Sequence, residues 1–203
     1  MSLTVKNTGG DFELPPEDQY TARCYRIIDL GTQESTFEGK KELKHKVLMQ
    51  WELLSGAMMK DGRPFSIGRR FNASLHEKAD LRKLLESWRG RAFTDEELEG
   101  FELSKVLGAY ALLQVVHEGD YANVQALMKM PQGMPKPAPV NENLLIDFDD
   151  FNWSAYESLS DKLRETIAAS PEFKALAAAR GKPASKLVGT GTQGALPDDD
   201  VEF

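Results

Sequence analysis

The chain has 203 residues, 41% of them hydrophobic, enough for one domain of ordinary size with a sizeable core plus appendages. A formal net charge of -7 argues against wholesale non-specific attraction to nucleic acid, but residues 131–203 hold 12 acidic against 7 basic residues while residues 1–130 nearly balance. The single cysteine, Cys24, excludes an internal disulfide and a multi-cysteine zinc site, and no apolar run approaches the roughly 18 residues that cross a bilayer. With no signal-peptide pattern at the N-terminus, the expectation is a soluble, cytoplasmic protein.

Residues 1–19 are polar and proline-bearing, an extended lead-in. From Tyr20 to Leu30, aromatic and β-branched residues mix with Arg23 and Arg26, and Gly31 closes what reads as a first strand. In Glu42 to Leu54, His45, Val47, Met49, Trp51 and Leu53 alternate with Lys44, Lys46, Leu48, Gln50 and Glu52, giving a second strand with one apolar and one mostly polar face. Lys60-Asp61-Gly62 is a turn signal, and Pro64 to Leu75 reads as a third strand.

The period then changes. Ala79, Leu81, Leu84, Leu85 and Trp88 recur at helical spacing before Gly90, and Thr94-Asp95-Glu96-Glu97 is a capping-box sequence that starts a second short helix. A third short element is expected around Leu103 to Leu107. Strands resume at Ala109 to Glu118 and Tyr121 to Met130, joined by a Gly119-Asp120 hairpin. Three strands, a helical insert and two strands within residues 20–130 is the order of a five-stranded Greek-key barrel of the OB type, mainly β with helical additions.

Four prolines between Pro131 and Pro139 make a stiff connector, and residues 131–179 form a connector with a helical appendage. Helical runs are expected in Ser154 to Ser170 and in Pro171 to Ala179, the latter with Ser170 as cap and Pro171 in the first turn. Residues 180–203 read as a Gly-, Ser- and Thr-bearing tether with an acidic tip.

Binding to single-stranded nucleic acid requires cations for phosphates and aromatic rings for base stacking. The segment from Gly31 to Arg70 supplies Lys40, Lys41, Lys44, Lys46, Arg69 and Arg70, with Arg23 nearby on the first strand. Tyr25 and Tyr121 share parity with polar neighbours and are expected to face outward as stacking platforms, with Phe71 and Tyr110 as lesser candidates. A solvated lysine face is the plainer reading of the same cations. Trp51 is assigned to the core, and Trp88 to packing of the first helix on the strands.

His45, His76 and His117 are dispersed, and no nucleophile motif or phosphate loop is present, so no enzyme activity and no cofactor are expected. Asp147, Asp149 and Asp150 have carboxylates of the kind that hold magnesium, but the interleaved Phe148, Phe151 and Trp153 fit better with a segment that docks on a surface. The tip ends in an aromatic side chain with a carboxylate, which a basic-rimmed apolar pocket on a partner can capture.

The tip Asp198-Asp199-Asp200-Val201-Glu202-Phe203 resembles the C-terminal tips of bacterial and phage single-stranded DNA-binding proteins, which run acidic residues into a final phenylalanine. Glu202 stands where that family's tip carries proline. Phe65-Ser66-Ile67-Gly68-Arg69-Arg70, Ser74-Leu75-His76-Glu77-Lys78, Leu85-Glu86-Ser87-Trp88-Arg89-Gly90 and Tyr121-Ala122-Asn123-Val124 are similar to stretches of phage and prophage proteins. The resemblance implies an OB-fold body that coats single-stranded DNA in a bacterial host. It also implies a tail that recruits replication or recombination proteins through Asp198, Asp199, Asp200, Val201, Glu202 and Phe203. The alternative is a protein interaction module, such as a phage adaptor or an inhibitor whose acidic surface imitates nucleic acid.

Overall fold

A computed structural model describes residues 13–37 and 39–181. Among the described residues the protein is mainly β: six strands form one sheet, and five short α-helices and a 3-10 turn are added to it. The strands are β1 (Asp18–Phe37), β2 (Lys40–Leu53), β3 (Ser66–Asn72), β4 (Tyr110–Glu118), β5 (Tyr121–Met128) and β6 (Leu144–Ile146). The helices are α1 (Asp80–Arg89), α2 (Asp95–Glu99), α3 (Trp153–Glu157), α4 (Asp161–Ala169) and α5 (Pro171–Ala179), with the 3-10 turn at Leu103–Val106. No helix among the described residues is long and apolar enough to cross a membrane.

β1 organises the sheet. It pairs antiparallel with β2 from Ala22 to Phe37, antiparallel with β4 from Asp18 to Arg23, and parallel with β6 from Arg26 to Ile28. The path through the sheet is β3-β2-β1-β4-β5, with β6 off that path. The two ends of the path approach each other: Arg69 Nη1 on β3 donates to the Val124 carbonyl of β5 at 3.4 Å, and α1 packs on both strands.

Gly31 does not end the first strand as its sequence context suggests. It sits at φ +69° beside a register shift between Asp29 and Gly31, and the strand continues for six residues beyond it. A bulge absorbs the left-handed residue without breaking the ladder. β1 and β2 therefore run out together as a two-stranded ribbon. A second unanticipated element is β6, three residues long, which follows the proline connector and seats the C-terminal region along β1.

The alternation in β2 builds two cores. Val47, Met49, Trp51 and Leu53 face a cluster with Ile67, Phe71, Leu85, Trp88, Leu113 and Leu127. Trp88 packs as anticipated, edge-on to Trp51 with ring centroids 6.1 Å apart, and its indole N–H donates to the Tyr110 carbonyl at 2.9 Å. The opposite face, through Ile28, Leu30 and Leu48, packs against Ile146, Tyr156, Leu163, Ile167 and Phe173.

The helix signals read from the sequence act where they stand. Thr94 and Glu97 form a complete capping box on α2, and the Ser170 hydroxyl caps α5 with Pro171 in its first turn. The acidic-aromatic segment docks on the chain itself. Phe151 lies 4.9 Å from Trp153 and 5.6 Å from both Tyr156 and Phe173, and the Arg180 guanidinium covers Trp153 at 4.0 Å.

Candidate nucleic-acid interface

β2, β3 and the ribbon meet at an open groove of about 620 Å³. Lys46, Arg69 and Arg70 line it together with Phe71 and Asn72, the ribbon residues Glu34, Ser35 and Thr36, and Ala79 and Asp80 at the start of α1. The register explains the convergence: Lys46 lies opposite Asn72 and Leu48 opposite Arg70, so Lys46 and Arg70 share one face of the sheet. Arg69 belongs to the other face. It reaches the groove by bridging the seam, with its guanidinium 5.2 Å from the Phe71 ring and 3.6 Å from the Asp80 carboxylate.

The remaining expected phosphate and base contacts divide into three groups. Lys40 and Lys41 are exposed on the ribbon, where Lys41 Nζ pairs with Glu34 at 2.6 Å, and half-buried Lys44 pairs with Glu42 at 2.8 Å. Tyr121 is 50% exposed on β5, three residues from the Val124 carbonyl that Arg69 touches, or about 10 Å along the strand. The third group, Arg23 and Tyr25, lies inside the protein.

Tyr25 was expected to face outward and instead is 2% exposed. The parity that placed it fails because a register shift between Cys24 and Arg26 breaks the alternation of β1 at that point. Arg23 is 5% exposed and lies opposite Glu52, itself fully buried. Arg23 Nε donates to Glu52 at 2.5 Å, and the other guanidinium nitrogens donate to the Asn143 side chain and the Asn141 carbonyl. Glu52 also accepts from Asn141 N at 2.8 Å and Asn141 Nδ2 at 2.7 Å. Arg23 therefore latches the segment before β6 to the sheet and is not open to a phosphate.

Gln50, expected on the solvent face with Lys44 and Lys46, is also buried, and it accepts from Arg26 at 3.1 Å. The C-terminal helices cover that face at neighbouring Leu48, so only the ribbon end stays open. Tyr110 is half-buried; its hydroxyl donates to the Pro137 carbonyl at 2.6 Å and the Lys136 ammonium lies 5.6 Å over its ring. Phe71 is buried at 3% and acts as groove floor and core.

A second cleft of about 620 Å³ carries the opposite charge. Asp29, Glu102, Asp147, Asp149 and Glu172 line it with His45, over an apolar floor that includes Ile27, Val47 and Phe148. His45 Nε2 lies 2.7 Å from Asp29 and Nδ1 3.6 Å from Glu172. Burial raises the Asp29 carboxyl above its ordinary range, against the pull of the Gly31 N–H and His45. Burial pushes Glu172 upward as well, but hydrogen bonds from Thr32 Oγ1 at 2.5 Å and Thr32 N at 2.9 Å outweigh it and hold Glu172 below its ordinary value.

Sequence reading missed this cleft because its residues come from β1, β2, the start of the 3-10 turn, β6 with the loop after it, and α5. Nor did it find the Arg23–Glu52 latch, whose only sequence signal is a cation and a carboxylate that become opposite once the β1–β2 register is known. Among the described residues, no group of three or more His, Cys, Asp or Glu is arranged to hold a metal ion. Asp198 to Phe203 lie outside the described residues.

Compared with known proteins, the chain matches no family model, no curated protein and no solved structure.

Proposed function

We propose that the protein is a non-enzymatic single-stranded DNA-binding protein of phage or prophage type, acting in replication or recombination. The observation that carries this reading is the groove of Lys46, Arg69 and Arg70 where the β2–β3 face meets the β1–β2 ribbon. The strand path β3-β2-β1-β4-β5, with β3 and β5 meeting across a seam that α1 covers, supports a five-stranded OB-type barrel. In that architecture, strands 2 and 3 and the loops between strands 1–2 and 4–5 take oligonucleotides. The groove beside β2 and β3 and the exposed Tyr121 beside the β4–β5 hairpin are consistent with those positions and support the reading.

On this reading, Lys46, Arg69 and Arg70 bind phosphates in the groove, and Lys40, Lys41 and Lys44 extend the contact along the ribbon. Tyr121 stacks a base, a contact worth roughly 1–3 kcal/mol. The tip Asp198 to Phe203 engages replication or recombination proteins.

Titration of fluorescent oligo-dT at several salt concentrations tests the reading. Log affinity should fall with log salt at about -0.7 per neutralised phosphate, and the K46A/R69A/R70A triple variant should lower that slope by about 2. Absence of binding to single strands at low salt would refute it.

The acidic cleft beside His45 favours a second reading, an interaction module that takes a basic protein partner and no DNA. Truncation after Ala195 separates the two. The DNA-binding reading expects oligo-dT affinity to be retained or increased once the anionic tip is gone, with partner recruitment lost.

A further inference from the structure

The cationic groove also contains two carboxylates, and each is paired with a cation that the groove or its ribbon would present to a phosphate. Glu34, on the ribbon, is among the lining residues and is held by Lys41 Nζ at 2.6 Å. Asp80, in the first turn of α1, also lines the groove and lies 3.6 Å from Arg69 Nη2. These carboxylates are open to water, with side-chain exposures of 57% for Glu34 and 68% for Asp80, so neither is needed to neutralise a buried charge. Arg69 has a further protein acceptor in the Val124 carbonyl and a ring beneath it in Phe71.

We infer that Glu34 and Asp80 are resident anions of the groove, occupying Lys41 and Arg69 until the phosphates of a bound strand displace them. This rests on the groove being a phosphate site.

Exposed ion pairs of this kind are weak, so the barrier is small and reversible. The expected effect is roughly two- to fivefold tighter binding of oligo-dT for E34Q or D80N alone, and roughly four- to twentyfold for the double variant at low salt. The gain shrinks as salt screens the groove.

The experiment compares wild type, E34Q, D80N, E34Q/D80N and the charge-matched control E96Q/E99Q, whose substitutions lie on exposed positions of α2 outside the groove. Each protein is titrated with fluorescent oligo-dT and inorganic tripolyphosphate, and its melting temperature is recorded. Asp80 sits in the first turn of a helix whose Ala79 cap makes no side-chain bond, so D80N can loosen α1. E34Q, on the ribbon, carries the test if that happens. Tighter oligo-dT binding by E34Q and the double variant, with little change in E96Q/E99Q, supports the inference. Unchanged or weaker binding, or an equal gain in E96Q/E99Q, overturns it. If no protein binds oligo-dT but tripolyphosphate binds and tightens in the double variant, the DNA-binding reading falls and the resident anions stand. Binding of neither ligand overturns both.

Discussion

Replacing Glu52 with alanine should destabilise the protein more than any surface substitution, because it leaves a guanidinium buried without its counter-ion. Both partners are inaccessible, with side-chain exposures of 6% for Arg23 and 0% for Glu52. The carboxylate accepts from Arg23 Nε, Val140 N, Asn141 N and Asn141 Nδ2, so its removal orphans donors on β1 and on the segment leading to β6. Breaking a buried pair from one side costs about 3–5 kcal/mol. For a chain of this length, each kcal/mol lowers the melting temperature by about 2–4 °C, so E52A should melt roughly 6–20 °C below wild type. Urea denaturation gives the free energy, and hydrogen exchange gives the location: amides of Leu144–Ile146 should lose protection before those of the β2–β3 pair. Removing both charges in R23L/E52L should restore part of the loss, since a buried pair replaced by apolar side chains is often neutral. An E52A variant within about 1 kcal/mol of wild type would refute this account of the latch, as would a double variant whose loss equals the sum of its two single ones.

Three further outcomes follow from local geometry. A Cβ on Gly31 would lie 2.6 Å from Ser170 Cβ and 2.8 Å from Glu172 Oε2, at a backbone φ of +69°, so G31A should cost about 1–3 kcal/mol in urea denaturation by pushing α5 off the ribbon. A cost below about 0.5 kcal/mol would remove Gly31 as the seat of that contact. The Cys24 thiol is fully buried, and burial pushes it up to about 12, so native protein should resist a thiol reagent at pH 8 and label only on unfolding. Hydrogen bonds from Arg91, then from the Thr94 N–H and Arg89, hold Glu97 down at about 2 against an ordinary 4.5. A depressed carboxyl stabilises the fold fully above pH 4.5 and loses that contribution as the pH falls toward 2, so E97Q should flatten the acid limb of the stability curve.

How much of this was legible in the sequence depends on whether the signal was local. The alternation of Val47, Met49, Trp51 and Leu53, the helical spacing of Leu81, Leu84, Leu85 and Trp88, and the caps at Thr94 and Ser170 all act within one element, and all stand where they were read. Parity along β1 did not survive, because register shifts after Cys24 and after Asp29 each reset which face a residue takes. That is why Tyr25 moved inside. Gly31 carried the usual punctuation of a strand end, and only its partner strand reveals that the ladder continues. β6 is three residues long, too short to show a period of two. Glu52 looked like one more polar position on a solvated face, and the partners that bury it, Val140 and Asn141, are 88 and 89 residues away. Of the candidate site, the convergence of Lys46 with Arg69 and Arg70 was suggested by composition, but the ribbon wall that completes the groove depends on the strand running past Gly31.

The same ladder governs where a phosphate backbone would run. His45 and Lys46 are consecutive in β2 and point to opposite faces, one into the acidic cleft and the other into the cationic groove. Five carboxylates line the cleft, whereas Lys46, Arg69 and Arg70 outnumber Glu34 and Asp80 in the groove, so a polyanion meets repulsion at the cleft and net attraction at the groove. On the β1 side, the C-terminal helices cover Ile28, Leu30 and Leu48, closing that sheet face. For a strand bound as proposed, the route left by these two constraints would run from the ribbon lysines through the groove and across the β3–β5 seam toward Tyr121. Arg69 stands at the crossing, bonded to the backbone of β5 and paired with Asp80. If the groove binds DNA as proposed, a strand taking that route would have to compete with Asp80 for Arg69 before it reached the tyrosine, which would make the seam the step that couples groove binding to base stacking.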